Sequence, residues 1–291
     1  MGIRTLLALV CLVLSLPASC DPAEPRAANK VDKLLVIVAE NKRAADVSAN
    51  MPFLMSQSRR YGRATRYYAI TYPSLPNYLV MAGGSTFGVE SNGNPDQLPR
   101  KGRSVFGQML ASGRTAKTYA EAMPRNCTRR NRGTYVVRHN PWTYFADPAE
   151  RAACRKYNVP SGSPTNGALA NDIARGKLPN FGLLIPDNCH NGHDCSIATT
   201  DRWLRSWLPT IKNGPDFRSG RLAVIVTWDE DDRSTDNRVA MVVIHPDLKG
   251  RNVTTRLDHY ALSAAISRLG RARPLRDANR APDLLAAFGL S

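Results

Sequence analysis

Residues 221–232 read RLAVIVTWDEDD, an uninterrupted apolar run that ends in four consecutive carboxylates. Three further segments have a similar apolar character: KLLVIVA (33–39), FGLLIP (181–186) and RVAMVVIHP (238–246). Near-continuous apolar runs are typical of strands that helices cover on both faces. The sequence therefore predicts a core of buried strands.

Helix-like segments separate these strands: SVFGQMLASG (104–113), TTDRWLRSWLPTIKNG (199–214) and YALSAAISRLG (260–270). Strands that alternate with helices indicate a mainly parallel α/β sheet. A chain of 291 residues can form one large α/β domain or two small ones, and we favour one. Residues 120–170 are rich in Pro, Asn, Arg and Gly and are expected to form a long loop excursion.

Polar clusters follow the apolar runs. They comprise Glu40 and Asn41 after KLLVIVA, Asp187, His190 and His193 after FGLLIP, and Asp229 and Glu230 after RLAVIVTW. Ligands of α/β sheets bind beyond the carboxyl ends of the strands, and carboxylates with imidazoles suit a divalent metal. Alone, DEDD could be a solvated loop and Glu40-Asn41 a helix cap. Together, buried carboxylates need a cation or a shared proton.

Ser74 lies in ITYPSLPNYLV (70–80), at the start of a helix predicted for NYLVMAGG. A helix N-terminus attracts anions, and the amide of Asn77 can donate to a phosphoryl oxygen. A serine hydroxyl becomes a competent nucleophile when a metal lowers its pKa. Ser74 is therefore a candidate nucleophile, although a serine between prolines could also be an ordinary turn residue with no chemical role.

The N-terminus has the pattern of a targeting segment, with Arg4 followed by LLALVCLVLSL and small residues. We expect residues 1–20 to be a secretory signal, 21–32 a flexible linker and 33–291 the folded domain. The stretch LPASC approaches a lipoprotein cleavage site, so lipidation of Cys20 is an alternative to simple secretion. The expected location is outside a bacterial cell, either secreted or as a cell-surface lipoprotein.

Four cysteines remain beyond this segment: Cys127, Cys154, Cys189 and Cys195. Their even number in an oxidising compartment indicates two disulfides. The short-range pairing, Cys127 with Cys154 and Cys189 with Cys195, is the working hypothesis among three connectivities. A zinc site is the weaker alternative because no Cys-x-x-Cys pair occurs.

The formal net charge is +16, from 40 basic and 24 acidic side chains, spread along the chain. Such an excess attracts anions in general, but an arginine-rich chain is often only a solvated surface. No basic helix, zinc finger or RNA-binding aromatic pattern occurs, so no nucleic-acid partner is expected. Any membrane contact would be through a lipid anchor or a lipid substrate, and the oligomeric state is not readable.

Six motifs occur in the order and approximate spacing of the bacterial phosphoesterase family: VIVAEN, YPSLPNYLVMAGGSTFG, RHNPWTYF, PDNCHNGHDCS, VTWDEDD and DHYAL. The resemblance covers nearly all of the chain from about residue 33. That family includes secreted acid phosphatases, phosphatidylinositol 3-phosphatases and phospholipases C, and the chain is most similar to the compact acid phosphatases. The resemblance implies a three-layer α/β/α sandwich, with an alkaline-phosphatase-like central sheet.

The resemblance also implies roles for individual residues. Ser74 would form a phosphoryl-enzyme intermediate, and Asn77 would bind a phosphoryl oxygen. The positions that match metal ligands are Glu40, Asn41, Asp187, Asp229 and Glu230, with Ser74 beside them. His193 and His259 match positions that contact phosphate, protonate the leaving group or hold a second metal. The carboxylate-rich set favours one hard divalent ion over two.

One position departs from the family. Tyr72 stands where relatives commonly carry His, so a proton-transfer or phosphate-binding group is missing unless His190 or His139 substitutes. For His139, a structural hydrogen-bonding role is the alternative to substrate binding. His245 is expected to be structural. Arg138 is a candidate phosphate clamp because its fork matches phosphate geometry.

These observations predict a secreted, metal-assisted phosphomonoesterase acting on a phosphorylated small molecule or a phosphoinositide. Two alternatives remain open. One is a phospholipase C-like phosphodiesterase with the same site. The other is a catalytically silent module that binds anionic lipids or phosphorylated ligands.

Overall fold

The structure is a computed structural model and describes residues 1–2 and 31–291. The apolar runs of the chain form strands within these residues. The strands are β1 (Lys33–Ala39), β2 (Gly62–Ala64), β3 (Tyr67–Tyr68), β4 (Ala116–Ala120), β5 (Asn158–Pro160), β6 (Phe181–Ile185), β7 (Leu222–Trp228), β8 (Met241–Ile244), β9 (Arg251–Val253) and β10 (Leu257–Asp258).

Eight strands form one sheet in the order β5-β4-β6-β1-β7-β8-β2-β9, and β3 pairs with β10 separately. Only β8 runs against its neighbours in the large sheet. All residues of β1 and β7 are buried, as strands covered on both faces require. The predicted mainly parallel sheet is confirmed.

The helices are α1 (Ala44–Asn50), α2 (Pro52–Arg60), α3 (Ser74–Gly83), α4 (Val105–Ala111), α5 (Pro148–Tyr157), α6 (Ala168–Ala174), α7 (Ile197–Asn213), α8 (Pro215–Arg218), α9 (His259–Leu269) and α10 (Leu284–Phe288). Short 3₁₀ turns cover Val137–His139, Pro141–Tyr144 and Arg276–Arg280. Helices α3, α4, α5, α9 and α10 pack together as one layer, and α1, α2, α6, α7 and α8 as another. The sheet lies between these layers, which confirms the α/β/α sandwich.

Two disulfides fix the loops at the carboxyl edge of the sheet. Cys127 pairs with Cys154, and Cys189 pairs with Cys195. The first joins the loop after β4 to α5, and the second closes a turn after β6. The predicted short-range connectivity is confirmed.

Among the described residues, no helix has both the length and the apolar character needed to cross a bilayer. The predicted signal segment, apart from its first two residues, lies outside the described residues. Cys20 and most of the predicted linker also lie outside them, so the proposed leader and lipid anchor stay predictions.

Candidate active site

The register of β1 and β7 brings two carboxylates side by side. Ala39 lies opposite Trp228, so the next residues, Glu40 and Asp229, leave neighbouring strands together. The Asp229 amide donates to the Ala39 carbonyl at 3.0 Å and continues the ladder. Both side chains are fully buried. The strand-end rule therefore correctly predicted that they meet.

Asn41 turns the chain immediately after Glu40. Its φ of 52° is in the left-handed region, which Asn tolerates better than most residues. This turn lets the Asn41 amide donate to Asp229 Oδ1 at 3.2 Å. Within residues 31–291, Asn41 Oδ1 and Asp229 Oδ2 are both buried and have no hydrogen-bond partner. Two acceptor oxygens are therefore left for a ligand.

Ser74 is the first residue of α3 and follows the cis Tyr72–Pro73 bond. Its hydroxyl donates to Glu40 Oε2 at 3.2 Å. One helical turn later, the Tyr78 hydroxyl donates to Glu40 Oε1 at 2.5 Å. Ser74 is only 3% exposed. Its hydroxyl is therefore held beside the carboxylates, and Ser74 is not a solvent-exposed turn residue.

The side-chain amide of Asn77 has different hydrogen-bond partners from the phosphoryl oxygen that was expected. Its Oδ1 accepts from the amides of Ile70 and Thr71, at 3.0 and 3.2 Å. Its Nδ2 donates to the Thr71 carbonyl at 2.6 Å and to Glu230 Oε2 at 3.2 Å. The amide is thus committed to the turn before Ser74 and to orienting Glu230. Asn77 is a positioning residue here, with no free donor aimed at a phosphoryl oxygen.

The carboxylates perturb one another. Burial raises the pKa of Glu40, against the opposing effects of the Tyr78 hydrogen bond and the Arg138 charge. Burial, followed by the Glu40 charge, raises the pKa of Asp229 well above its usual range. Burial and then the charges of Asp229 and Glu40 raise the pKa of Glu230 to about 9. This cluster needs either protons or a cation to be stable.

The residues present fit a hard divalent cation. Glu40, Asn41, Ser74 and Asp229 bring side-chain oxygens together at the ends of β1 and β7, with Glu230 next in the chain. Two of these oxygens, Asn41 Oδ1 and Asp229 Oδ2, lack partners among the described residues. Ser74 also lies close enough to Asp229 for its hydroxyl to lower the pKa of that carboxyl, although it is aligned on Glu40. All-oxygen donor sets suit Mg²⁺, Ca²⁺ or Mn²⁺.

His139 lies on the other side of Glu40. Its Nε2 is 3.3 Å from Glu40 Oε2 but is not aligned for a hydrogen bond, and Nδ1 accepts from Asn191 Nδ2 at 3.3 Å. The ring stacks on Tyr78 with centroids 5.4 Å apart. Burial lowers the pKa of His139 well below its usual range, so the ring is neutral. The ring therefore borders the carboxylates, and its substrate-binding role stays a prediction.

Arg138 and His193 form the outer rim. Arg138 Nη2 donates to His193 Nε2 at 3.2 Å, and His193 Nδ1 lies 2.6 Å from Asp194 Oδ1. Since a guanidinium only donates, Nε2 is the acceptor and Nδ1 carries the proton. Arg138 Nε is buried without a partner among the described residues. His193 is one-third exposed, so it can reach a substrate.

His259 does not reach a substrate. Its Nε2 donates to the Asp229 carbonyl at 2.7 Å, and its Nδ1 accepts from the Tyr67 hydroxyl at 2.9 Å. Both nitrogens are occupied and the ring is fully buried. The structure thus replaces the expected acid/base or phosphate-binding role by one of holding the Asp229 backbone.

His259 should make the protein acid-sensitive. Burial lowers its pKa to about 4, against about 6.5 when unfolded. Because the folded pKa is depressed, the stabilisation is complete above pH 6.5 and is lost as the pH falls towards 4. Urea titrations from pH 7 to 4 measure the free energy of unfolding. We expect its decrease over this range to be about 3 kcal/mol smaller in His259→Gln than in the wild type. Parallel curves for wild type and variant would contradict this assignment.

Asp187 and His190 form a separate cluster with Glu121. His190 Nδ1 lies 3.0 Å from Glu121 Oε2 and 3.3 Å from Asp187 Oδ1. One atom from each residue lies within 4.8 Å of the others, which a cation could bridge. Thr134 and the Cys189 amide already donate to Asp187. Hydrogen bonds thus account for the cluster, and Asp187 groups with His190, not with Glu40.

Tyr72, the position at which the sequence departs from the resemblance, is tied to Asp231. Its hydroxyl donates to Asp231 Oδ1, which also accepts from the Arg233 amide. Burial and then this hydrogen bond raise the pKa of Tyr72. The phenol therefore stays protonated and anchors the loop after β7. His245, expected to be structural, is buried and bonds the Gly220 carbonyl at 2.9 Å.

Sequence reasoning missed Tyr78, Glu121 and Tyr67. Tyr78 lies four residues after Ser74, so the helical period could have indicated that the two share a face of α3. Glu121 directly follows β4, but that strand was not identified from AKTYA. The same strand-end rule would otherwise have found it. No local signal marks Tyr67.

Comparison with known proteins places this geometry in a family. The model of the Phosphoesterase family matches residues 47–271. Phosphatidylinositol-3-phosphatase of Mycobacterium tuberculosis is 28% identical over 98% of this chain and 94% of its own length. An acid phosphatase of Aspergillus fumigatus is 29% identical over 77% of this chain. The alignment spans about half of that fungal protein's length.

Solved structures show the same fold at low identity. A protein of the alkaline phosphatase superfamily from Vibrio parahaemolyticus aligns with a TM-score of 0.57 at 13% identity, covering 88% of this chain and 71% of its own. The lipoteichoic acid synthase LtaP of Listeria monocytogenes aligns at 0.55 and 10% identity, covering 89% and 79%. The chain therefore belongs to the Phosphoesterase family and is a phosphoric ester hydrolase with the alkaline-phosphatase-type fold.

Proposed function

We propose that this protein hydrolyses phosphate monoesters through a phosphoserine at Ser74, assisted by one divalent cation. The observation that carries the proposal is the Ser74 hydroxyl, which donates to buried Glu40 beside two unpartnered oxygens. A hydroxyl in this position has a proton acceptor and a charge-stabilising site within contact. The names of the relatives, a phosphoinositide phosphatase and an acid phosphatase, support a monoester substrate.

The first step joins Ser74 Oγ to phosphorus and breaks the bond from phosphorus to the leaving oxygen. Glu40 Oε2 is the acceptor of the serine proton, since it already receives that hydrogen bond. His193 is the group that gives a proton to the leaving alkoxide, because it is the solvent-accessible histidine of the rim, and its Nε2 becomes free for this role when Arg138 turns from it to the phosphate. The alcohol then departs.

The second step is hydrolysis of the phosphoserine. Water attacks phosphorus, its proton passes to His193, and the bond to Ser74 Oγ breaks as the serine regains its proton from Glu40. Bound by Glu40, Asn41, Asp229, Glu230 and Ser74, a divalent cation would neutralise charge on the phosphoryl oxygens and lower the serine pKa. After the two steps, phosphate is released and Ser74, Glu40 and His193 are back in their starting states.

Turnover of p-nitrophenyl phosphate against bis-p-nitrophenyl phosphate tests the substrate class. We expect the monoester to be hydrolysed with a kcat/KM at least about tenfold above that of the diester. Preference for the diester would favour the phospholipase C-like alternative. Inertness towards both at every pH and with each divalent metal would favour the silent binding module.

Arg138 should hold the substrate phosphate. Its buried, unpartnered Nε and its contact with His193 leave a positive group next to the phosphoryl position. We expect Arg138→Gln to lower kcat/KM for p-nitrophenyl phosphate by about 10- to 100-fold, from a lost charge-assisted hydrogen bond. The matched control is Arg218→Gln, which lies before β7 at the opposite edge of the sheet. Equal kinetics for both variants would remove Arg138 from the site.

We also propose that the enzyme works in an oxidising compartment outside the cytoplasm. Two disulfides support this, since such bonds persist mainly in secreted and surface proteins. Labelling of free thiols in protein isolated from whole cells and from the medium tests it. Reduced Cys127 and Cys189 in the native protein would contradict the proposal.

A further inference from the structure

A basic cavity lies apart from the catalytic carboxylates, in the loop that follows β4. Its volume is about 590 Å³. The residues that line it are Asp96, Pro124, Arg125, Cys127, Thr128, Arg129, Arg130 and Arg132. Four guanidinium groups thus border one space with a single carboxylate.

The carboxylate does not neutralise the cavity. Asp96 pairs with Arg129 and lies 3.7 Å from Arg130, so one negative charge faces four positive ones. Arg129 Nε is buried and has no hydrogen-bond partner in the described part of the chain. Arg130 remains 73% exposed. Unpaired guanidinium donors in a concave site match phosphate oxygens, which they bind in pairs.

The loop is held in place without a ligand. Cys127 is bonded to Cys154, and the Tyr135 hydroxyl donates to the Thr128 carbonyl at 2.8 Å. The Thr128 hydroxyl donates to the Arg125 carbonyl at 2.7 Å. The arginines therefore extend from a fixed backbone, which lowers the entropy lost on binding.

The position of the cavity links it to the active site. The loop leaves the carboxyl end of β4, the edge of the sheet that carries the catalytic residues. The same segment continues to Thr134, which bonds Asp187, and then to Arg138, which bonds His193. The loop that lines the cavity and the catalytic rim thus lie at the same edge of the sheet.

A comparable basic cavity at the opposite edge provides a contrast. It is lined by Arg60, Lys212, Arg218 and Lys249, among others. Arg60 lies two residues before β2 and Arg218 lies four residues before β7, and these strands run in the same direction. This cavity lies at the amino ends of the strands and faces away from the catalytic rim.

We propose that the arginine cavity after β4 is a non-catalytic site for the phosphate of an anionic phospholipid headgroup, and that it docks the catalytic face on a charged bilayer. The four arginines supply donors for phosphate oxygens, and the fixed loop presents them on the face where a substrate enters. Each arginine near an anionic surface adds to the attraction, and the effect is screened by salt. The proposal goes beyond hydrolysis, because docking requires neither Ser74 nor a metal.

Vesicle co-sedimentation tests the proposal with the full chain at about 0.15 M salt, near physiological screening. The vesicles are phosphatidylcholine alone or phosphatidylcholine with phosphatidylglycerol. We expect binding only to the anionic vesicles. The double variant Arg130→Gln/Arg132→Gln should bind them roughly 30-fold more weakly, from two lost surface contacts. The matched control Arg218→Gln/Lys249→Gln removes the same charge at the opposite edge and should retain most of the binding.

The vesicle-binding results of the two double variants support or overturn the docking proposal. Equal loss in both double variants would show attraction by net charge alone, and unchanged binding in both would show no role for the cavity; either overturns the proposal. If Arg130→Gln/Arg132→Gln binds vesicles normally but loses affinity for soluble glycerol 3-phosphate, the site takes free phosphate esters and the lipid assignment fails. Melting temperature and p-nitrophenyl phosphate turnover, unchanged in both variants, show that folding and catalysis are intact.

Discussion

Ser74→Ala is expected to lower kcat for p-nitrophenyl phosphate by at least about 10³-fold, because removal of a nucleophile eliminates the covalent step. The substitution deletes one oxygen from a 3%-exposed position at the start of α3. Tyr78 still donates to Glu40, so the surrounding carboxylates keep a hydrogen-bond partner. Steady-state turnover with and without divalent metal measures the loss. Acid-quenched mass spectrometry should show a phosphoryl group on Ser74 in the wild type only.

Ser58→Ala is the matched control. Ser58 is a buried serine of α2 whose hydroxyl has no hydrogen-bond partner within the described residues, so its removal leaves nothing unsatisfied. We expect turnover and the melting temperature to be nearly unchanged. If Ser74→Ala keeps wild-type turnover, or the phosphoryl label appears on another residue, Ser74 is not the nucleophile.

The sequence identified the parts of the site that depend on strand ends. The carboxyl end of a buried strand fixes where the next residue lies, and the β1–β7 register then places Glu40 beside Asp229. Ser74 was found for a similar reason, because a helix start after Pro73 can be read locally. These inferences need only the direction of a strand or the beginning of a helix.

The roles of His259 and Asn77 could not be read in the same way. Each lies next to the site, but a sequence does not show which groups meet its polar atoms. Tyr67 and the Asp229 carbonyl occupy both nitrogens of His259, through contacts 192 and 30 residues apart in the chain. The amide of Asn77 is committed to the turn before Ser74. Direction and hydrogen-bond partners are tertiary properties, and they convert candidate substrate-contacting groups into positioning residues.

Asp229→Asn is expected to abolish stabilisation by divalent metal while making the metal-free protein more stable. Without a cation, Asp229 is a buried carboxylate beside Glu40, and its raised folded pKa means that its charged form destabilises the fold at neutral pH. Asparagine removes that charge. Its oxygen can still accept from the amides of Asn41 and Glu230, the two donors to Asp229 Oδ1.

Thermal unfolding with chelator and with Mg²⁺, Ca²⁺ or Mn²⁺ measures both effects. At a metal concentration of about 100 times Kd, binding to the native state raises the free energy of unfolding of the wild type by about 2.7 kcal/mol. This corresponds to an increase of about 5 to 10 °C in Tm. Asp229→Asn should show no such increase and should melt above the wild type in chelator. Asp187→Asn, in the separate cluster with Glu121 and His190, is the control and should keep the metal response. If the response is lost in Asp187→Asn and kept in Asp229→Asn, the cation binds between Glu121, Asp187 and His190, and Ser74 has no metal beside it.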